Sequence, residues 1–450
     1  MSFLERLVNK VICKGDNIEF VDSGIEWVGP IPATWSIFPA CGVFCEVKEK
    51  NTNGEYHNPF SFRYGEIVNK KIAGEIDESV EETLSTYRVV VPDTIMINGL
   101  NLNYDFISQR VAIVRDKGII TSAYLAVQPD KNKVVPRFVL YLLKAYDYRQ
   151  VFHGLGSGIR KTLKYQDFKK IKIVAPSLAE QEAIVAYLDF QCEQIDCIIF
   201  DAKASIEEYK SWKASIIYEA VTKGLDPDVK MKDSGIKWIG DIPHSWDVLR
   251  LKYVIASIES GVSVNASQSA AEEGKIGVLK TSSVSKYSFR PEENKEVNLE
   301  ELDRISCPVR ANAIIVSRMN TPELVGACGY VEQDYPNLFL PDRLWQVHFL
   351  NSVVVKYIWY YLSSNYIRNY YSSLSSGTSS SMQNISQGQF ENARLLLPPP
   401  EVQRDIVEFL DKKCATLDSL VAEKESLIAD LEAYKKSLIF EVVTGKRRVV

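Results

Sequence analysis

The sequence lacks the residue spacings that most metal, redox and membrane functions require. Its 8 cysteines form no C-x-x-C pair, and none of its 4 histidines lies at metal-ligand spacing from a cysteine. We therefore expect no zinc site and expect free thiols in a reducing cytoplasm. No apolar run approaches the roughly 18 residues of a membrane helix, and Glu5 and Lys10 interrupt the amino-terminal stretch, which argues against a signal peptide. A net charge of -5 excludes a general polycation that coats nucleic acid.

Catalytic motifs are also missing. There is no P-loop, no nucleophile elbow and no nuclease-type acidic core. Asn58-Pro59-Phe60 lacks the second proline of the N-P-P-F/Y motif of amino-methyltransferases. The glycine-rich segment 154–158 follows a predicted helix and precedes a predicted strand, the reverse of the order in a cofactor-binding loop. The sequence therefore predicts no catalytic residue and no bound cofactor in this chain.

What the chain does contain is a long internal duplication. Residues 22–35 (DSGIEWVGPIPATW) and 233–246 (DSGIKWIGDIPHSW) are identical at nine of fourteen positions. A second pair of similar segments, 181–223 and 403–445, includes E-A-V-T and E-V-V-T near its end. The stretches between these blocks are similar in length but differ in residues. With 450 residues, the chain fits two large units that share a fold and differ in surface.

The repeated segments after Pro176 and Pro398 carry apolar residues in alternating steps of four and three, which predicts a long helix with one apolar seam in each copy. We expect each helix to be about 50 Å long and to pair with the other copy in the same chain. If that pair is antiparallel, the flanking domains lie at its opposite ends. Lys213 and Lys435 occupy the same seam position. They either extend into solvent, or set the register or meet a partner subunit. The predicted seam consists of Leu188, Ile195, Ile199, Ile206, Ile216, Leu410, Leu417, Val421, Ile428, Leu431 and Leu438.

Between the repeated blocks, the first variable segment is moderately basic, with 20 Lys and Arg against 15 Asp and Glu over residues 40–175. Basic, amide and glycine-rich loops suit phosphate and base contacts. A Lys-protected strand edge or ordinary turn residues explain the same pattern. Tyr104 lies in one of these loops. The candidate DNA-binding residues here are Arg63, Tyr64, Lys70, Lys71, Asn98, Asn101, Asn103, Arg160, Lys161 and Lys164.

The second variable segment offers amides and hydroxyls at the corresponding places. Residues 375–390 contain no Lys or Arg but many Ser, Asn and Gln, which can bond phosphate oxygens or base edges, although a plain polar loop fits the composition equally well. The candidates here are Lys280, Thr281, Ser282, Arg318, Asn320, Thr378, Ser379, Gln383 and Asn384.

Taken together, D-S-G-I-x-W-[VI]-G-x-I-P-x-x-W at 22 and 233, P-x-x-x-x-Q-x-x-I-V-x-x-L-D at 176 and 398, and E-[AV]-V-T at 219 and 441 resemble the specificity subunit of type I restriction-modification systems over essentially the whole chain. The resemblance implies an α+β fold with two globular α/β target-recognition domains separated by two long antiparallel conserved helices, related by a pseudo-twofold repeat. It implies boundaries at 1–21 (extension), 22–175 (first recognition domain), 176–232 (first helix and linker), 233–397 (second recognition domain) and 398–450 (second helix).

The resemblance also implies partners. Each recognition domain would read one half of a split, asymmetric site on double-stranded DNA, and the helices would set the spacer. Two methyltransferase subunits would carry S-adenosylmethionine, and two motor-nuclease subunits would use ATP and magnesium. The chain itself would not be an enzyme and would be cytoplasmic, without a membrane partner.

Two other readings stay open from the residues. A stand-alone methyltransferase or nuclease would show activity without any partner. A coiled-coil scaffold without DNA contact would give no sequence-dependent band shift in the presence of a methyltransferase subunit.

Overall fold

The computed structural model describes residues 19–70, 78–107, 109–156, 161–237, 239–379 and 382–449, apart from the side chains of residues 78, 378 and 379. It forms two compact units. Unit 1 comprises Met1–Ala202 and Glu425–Val450, and unit 2 comprises Lys203–Lys424. The helices are α1 Glu78–Ser85, α2 Pro136–Tyr148, α3 Tyr165–Phe168, α4 Leu178–Lys223, α5 Val355–Ser363, α6 Asn365–Leu374, α7 Gln387–Glu391 and α8 Pro400–Val443.

Short strands make up the rest of each unit. Unit 1 contains β1 Phe20–Asp22, β2 Pro30–Pro32, β3 Ser36–Pro39, β4 Phe44–Glu46, β5 Pro59–Arg63, β6 Glu66–Asn69, β7 Arg88–Val90, β8 Ile95–Ile97, β9 Val111–Ile113, β10 Gly118–Ile120, β11 Leu125–Pro129 and β12 Lys172–Ala175. Unit 2 contains β13 Met231–Asp233, β14 Asp241–Pro243, β15 Asp247–Arg250, β16 Ile255–Ser260, β17 Gly277–Leu279, β18 Asn294–Glu296, β19 Pro308–Val309, β20 Ala313–Ser317, β21 Met319–Asn320, β22 Cys328–Val331, β23 Tyr335–Phe339, β24 Leu344–Phe349, β25 Ser376–Ser379, β26 Met382–Asn384 and β27 Arg394–Leu397.

The two units share a sheet topology although their variable segments differ in sequence. The order β4-β11-β8-β9 in unit 1 corresponds to β16-β24-β20-β22 in unit 2, and β6-β5-β10-β7 corresponds to β18-β17-β23-β19. Each of the latter sheets has one parallel pair in the same place, β5 with β10 and β17 with β23. The strand pairing therefore gives both units the same framework, into which different surface residues are placed.

The twice-repeated D-S-G-I motif forms the same turn in both units. The Asp22 carboxylate accepts a hydrogen bond from the backbone N–H of Gly24 at 2.9 Å, and Asp233 accepts one from Gly235 at the same distance. The side-chain oxygen takes the place of a backbone carbonyl in closing the turn, which explains why Asp and Gly recur two residues apart.

Each variable segment begins and ends at one strand pair. The antiparallel pair of β3 and β12 puts Ser36 opposite Ala175, and the pair of β15 and β27 puts Asp247 opposite Leu397. The variable segment therefore leaves the repeated framework and returns to it at a single place in each unit.

A buried glutamine at the start of each long helix joins it to the recognition domain of its unit. The amide oxygen of Gln181 accepts the N–H of Val135 at 2.7 Å, at the start of α2. Gln403 accepts the N–H of Val354 at 2.8 Å, at the start of α5. The two side chains have almost no solvent exposure. A buried amide must be satisfied by hydrogen bonds. These contacts therefore fix how α4 lies against α2, and how α8 lies against α5.

The long helices are longer than their seam predicts. Helix α4 has 46 residues and α8 has 44, which correspond to about 69 and 66 Å at a rise of about 1.5 Å per residue. The expectation of about 50 Å was wrong because the helices begin some ten residues before the seam, soon after Pro176 and at Pro400 itself. Proline is favoured in the first turn because the N–H it lacks would be unpaired there.

Within each unit, half of α4 lies antiparallel to half of α8. In unit 1, Lys435 Nζ lies 2.6 Å from an Asp196 carboxylate oxygen. In unit 2, Lys213 Nζ lies 2.7 Å from Asp418. The seam lysines therefore pair with an aspartate of the opposite helix, and the two ion pairs occupy equivalent places in the duplication. Partly exposed ion pairs contribute little free energy, so their main effect is on register.

Burial follows most of the predicted seam. Eight positions are buried and three are half-buried. One of the three is Ile216, where the buried position is the next residue, Ile217, near the end of α4. The buried ones are Leu188, Ile195, Ile199, Ile206, Leu410, Leu417, Leu431 and Leu438; the half-buried ones are Ile216, Val421 and Ile428.

Each compact unit contains part of both long helices together with one variable segment. Ile184 and Leu188 of α4 belong to the same apolar core as Phe138 of α2, so this part of the helix packs with the globular part of unit 1. Helix α4 ends at Lys223, within the segment assigned to helix and linker. Among the helices of the described ranges, none has the length and apolarity to cross a membrane.

Candidate nucleic-acid interface

In unit 1, two of the predicted polar loops meet through backbone hydrogen bonds. The N–H of Leu102 donates to the carbonyl of Lys161 at 3.0 Å, and the N–H of Leu163 donates to the carbonyl of Gly99 at 2.9 Å. The loop that follows β8 thus lies beside the basic segment before α3. This pairing brings Asn98, Asn101 and Asn103 close to Lys161 and Lys164, and both lysines are exposed.

A fully buried arginine holds the loop after β8. The guanidinium of Arg110 donates to the carbonyls of Asn98 and Leu100, each at 2.9 Å, and also to the carbonyl of Asp105. The backbone N–H of Arg110 donates to the Asp147 carboxylate at 2.8 Å, and burial raises the pKa of Asp147 to about 6. The two terminal nitrogens of the buried guanidinium thus reach three carbonyls of one loop, while its Nε has no partner among the described residues. These bonds hold the loop conformation because a buried guanidinium requires acceptors.

The polar side chains of this loop divide between structural and exposed roles. Asn98 caps the loop, since its amide oxygen accepts the N–H of Leu100 at 3.2 Å. Asn101 is exposed and has a φ of 52°, a left-handed conformation that asparagine tolerates better than most residues. Asn103 is half-buried. Asn98 thus belongs to the turn, whereas Asn101 is available to a ligand.

The hairpin of β5 and β6 reaches the same place. Its turn, Tyr64-Gly65, lies against Gln109, because a Cβ on Gly65 would be 2.5 Å from the Gln109 side-chain oxygen. Arg63 is exposed beside this turn. Lys70 lies at the other end of β6, where its ammonium is 5.9 Å from the ring centre of Tyr87. The structure therefore brings Arg63 and Tyr64 to the loop after β8 and leaves Lys70 apart.

Unit 2 builds the same platform from other residues. The N–H of Ile385 donates to the carbonyl of Arg318 at 3.0 Å, and β21 pairs with β26, with Asn320 opposite Gln383. The partner strand β25 completes a three-stranded sheet. This pairing gathers Arg318, Asn320, Gln383 and Asn384, just as the loop after β8 gathers its neighbours in unit 1.

Two of these side chains have partners in the fold. The Asn320 amide donates to Ser317 at 3.3 Å and accepts the N–H of Thr321 at 2.9 Å. The Arg318 guanidinium lies 6.0 Å from the ring centre of Trp345. Asn320 therefore shapes the turn, and Arg318 is held over an aromatic ring.

Lys280, Thr281 and Ser282 follow β17 as Tyr64 and Gly65 follow β5. The Ser282 hydroxyl donates to Glu293 at 2.6 Å, and Lys280 Nζ lies 4.0 Å from the same carboxylate. The Ser282 hydrogen bond, aided by nearby cations, lowers the pKa of Glu293. The negative charge of Glu293 reduces the attraction of Lys280 and its neighbours for phosphate.

Several candidates lie outside what the structure describes. These are Lys71 and Arg160, together with the side chains of Thr378 and Ser379, whose backbone forms the end of β25.

Sequence reasoning missed three features of the unit 1 platform. Phe106 and Ile107 are exposed beside Tyr104. Arg110 is buried, and its guanidinium donates to the carbonyls of Asn98, Leu100 and Asp105 in the same loop. A signal was present, since large apolar residues within a run of Asn and Asp are unusual for a core strand. Within the described residues, no group of three or more His, Cys, Asp or Glu side chains could hold a metal ion.

Comparison with known proteins agrees with this architecture. The family model described as "Type I restriction modification DNA specificity domain" matches residues 48–207 and 243–428. The specificity subunit of the type I restriction enzyme EcoEI of Escherichia coli is 28% identical over 50% of this chain and 38% of that protein, so the match spans well under half of that relative. The putative specificity subunit of the type I restriction enzyme MjaX of Methanocaldococcus jannaschii is 23% identical over 94% of this chain and 96% of that protein.

A solved chain has the same fold. It comes from a structural study of complex assembly and conformational transition of the type I R-M system, with 16% identity, a TM-score of 0.68, and coverage of 92% of this chain and 98% of that one. Specificity subunits are the non-catalytic parts of such systems. With two matched domains on a duplicated framework, the chain belongs to the family of specificity subunits of type I restriction-modification systems.

Proposed function

We propose that each unit reads one half of a split, asymmetric DNA site through its platform: the loop after β8 with residues 161–164 in unit 1, and β21 with β26 in unit 2. The observation that carries the proposal is that both platforms have the same backbone pairing and different side chains. A shared backbone with different base-contacting groups is what two unlike half-sites require. Unit 1 offers cations and amides, and unit 2 offers chiefly amides.

We further propose that α4 and α8 set the length of the unread spacer and dock two methyltransferase subunits. These subunits carry S-adenosylmethionine, and two motor-nuclease subunits use ATP and magnesium in the restriction complex. The support is the heptad framework that recurs in both copies, together with the absence of catalytic motifs in the sequence.

The two exposed lysines of unit 1 test the contact with DNA. Replacing Lys161 and Lys164 by alanine should weaken binding of the complex without changing sequence preference, because phosphate contacts carry no base information. The slope of log affinity against log salt should fall by about 2, close to one for each lost contact. Binding isotherms at several salt concentrations measure both effects.

A matched control removes two other exposed lysines of the same unit. Lys117 lies over the Tyr56 ring, and Lys131 pairs with Asp93 at 2.5 Å. The double alanine variant of Lys117 and Lys131 makes the same change in net charge and should keep the salt slope. If both double variants behave alike, Lys161 and Lys164 do not contact phosphate.

Shortening both long helices tests the spacer. Residues 203–209 of α4 lie between Asp196 and Lys213, and residues 422–428 of α8 lie between Asp418 and Lys435. Deleting both segments preserves the seven-residue seam and the ion-pairing residues, and removes about 10 Å of helix. Methylated-base mapping should then show a spacer shorter by about three base pairs, at about 3.4 Å each.

Deletion from α4 alone is the control, because it moves Lys213 out of register with Asp418 and should prevent assembly. A double-deletion complex that methylates DNA with the original spacer would show that the helices do not determine the spacing.

A further inference from the structure

The platform of unit 1 carries large apolar side chains in solvent. Tyr64 is 93% exposed, Tyr104 72% and Ile107 95%. We name these three residues the apolar tip. Their loops are neighbours, because the Tyr64-Gly65 turn lies against Gln109, two residues after Ile107. Exposed apolar residues gathered in one place commonly indicate a binding surface.

The tip is rigid. Besides the Arg110 hydrogen bonds, the ring of Phe106 stacks on His153, with ring centres 4.9 Å apart and planes 16° apart. His153 Nε2 lies 2.9 Å from the carbonyl oxygen of Asp105, and the Asp105 carboxylate accepts the N–H of Ile107 at 3.2 Å. Phe106 thus anchors the loop, and Tyr104 and Ile107 stay exposed on either side of it.

Tyr64 adds backbone strain to this surface. Its φ of 51° lies in the left-handed region, at the first position of a two-residue hairpin turn where asparagine or glycine would be relaxed. A bulky residue kept in this conformation costs free energy, and such strain concentrates at functional sites. The cost is explained if the exposed ring itself contacts a ligand.

The charges around the tip favour nucleic acid as the occupant. Arg63, Lys161 and Lys164 are exposed on the segments that form the platform. The carboxylates nearby are Asp105, which is 38% exposed and lies 3.7 Å from the buried Arg110 guanidinium, and exposed Glu66, opposite Arg63 in the hairpin. Exposed apolar side chains flanked by cations suit a base step with phosphates on both sides, and proteins that kink DNA insert such side chains between base pairs.

Among its described residues, the platform of unit 2 has no equivalent tip. The described residues that follow β21, Thr321 to Leu324, include exposed Glu323, and the exposed large apolar side chain of this platform is Met382, at 44%. Negative charge near the phosphates opposes insertion of that loop.

We propose that the apolar tip inserts into the duplex and unstacks one base step in the half-site read by unit 1, while the half-site read by unit 2 stays stacked there. The inference rests on the proposed function, since it requires unit 1 to bind its half-site. The first half-site would then be selected partly by how easily one step deforms, since flexible pyrimidine–purine steps unstack most readily.

The test uses the full chain in complex with its methyltransferase subunits, on duplexes that carry 2-aminopurine in turn at each purine except the methylated adenine. Fluorescence should rise at one step of the half-site read by unit 1. The Tyr104→Ser/Ile107→Ser variant should lose that rise and bind about tenfold more weakly, as expected for one lost stacking contact. Its melting temperature should not change, because both side chains are exposed.

Leu299→Ser is the matched control, because Leu299 is an 84% exposed apolar residue outside both platforms, and it should leave the signal unchanged. If the complex binds its target and no step brightens, or if the rise persists in the double variant, the tip does not insert, although the proposed function stands. If the double variant instead loses its methyltransferase subunits, the tip is a protein interface, and the proposal that it inserts into DNA is wrong. Failure of the wild-type complex to select a sequence would contradict the proposed function itself.

Discussion

Exchanging residues 36–175 for the matching segment of another specificity subunit should replace one half of the DNA target completely and leave the other half unchanged. The exchange is structurally simple because Ser36 and Ala175 lie opposite each other in the β3–β12 pair. The graft therefore enters and leaves the framework at one place, and α4 and α8 keep their seam. Mapping methylated adenines in cells that carry the chimera and its partner subunits measures the result.

The reciprocal exchange of residues 247–397 is the matched control, because Asp247 and Leu397 are neighbours in the β15–β27 pair. It should change the opposite half of the target. A chimera that alters both halves, or alters neither while still methylating DNA, would contradict the assignment of one half-site to each unit.

Replacing Gln181 by methionine should lower the melting temperature of unit 1 by about 10 °C. Methionine fills a similar volume and suits a helix, but it cannot replace the hydrogen bonds to Val135 N–H, Lys133 carbonyl and Pro176 carbonyl. Buried groups left unsatisfied cost about 1–3 kcal/mol each, and a unit of this size loses about 2–4 °C for each kcal/mol. Calorimetry of the purified chain measures the shift.

Two further variants make this prediction specific. Gln194→Met lies on the same helix at an exposed position and should leave the melting temperature unchanged. Gln403→Met removes the equivalent contacts of unit 2 to Val354 and Pro398 and should destabilise that unit instead. A shift below about 2 °C for Gln181→Met would mean that the amide does not hold α2 to α4.

The repeated glutamines and aspartates explain why the framework recurs while the surfaces differ. Tyr141 donates to Asp189 at 2.7 Å, and Tyr360 donates to Asp411 at 2.7 Å. These bonds join each recognition domain to a long helix with side chains far from the platforms. The reading surfaces can therefore change without altering the contacts that position them.

Local pattern was enough to predict the long helices, although not their full length. The seam is recognised by a repeat of seven residues, and this repeat can be read from positions close together in the chain. The turns before the seam pack against the globular part of their unit, where Ile184 shares an apolar core with Phe138. At the end of α4 the buried residue is Ile217 rather than the predicted Ile216, because this end of the helix joins the apolar core of unit 2.

The sequence by itself determined the duplication, the pairing of the two seam-bearing helices and the absence of a catalytic motif, since each depends on identity or periodicity along the chain. The structure shows that the two helices run antiparallel. Only the tertiary structure decided which polar loops meet. Gly99 and Leu163 pair across more than sixty residues, which no local pattern encodes. It also decided that Arg110 is buried and Ile107 exposed, the reverse of their usual preference, because three loop carbonyls accept hydrogen bonds from the terminal nitrogens of the guanidinium and the loop that it holds projects into solvent.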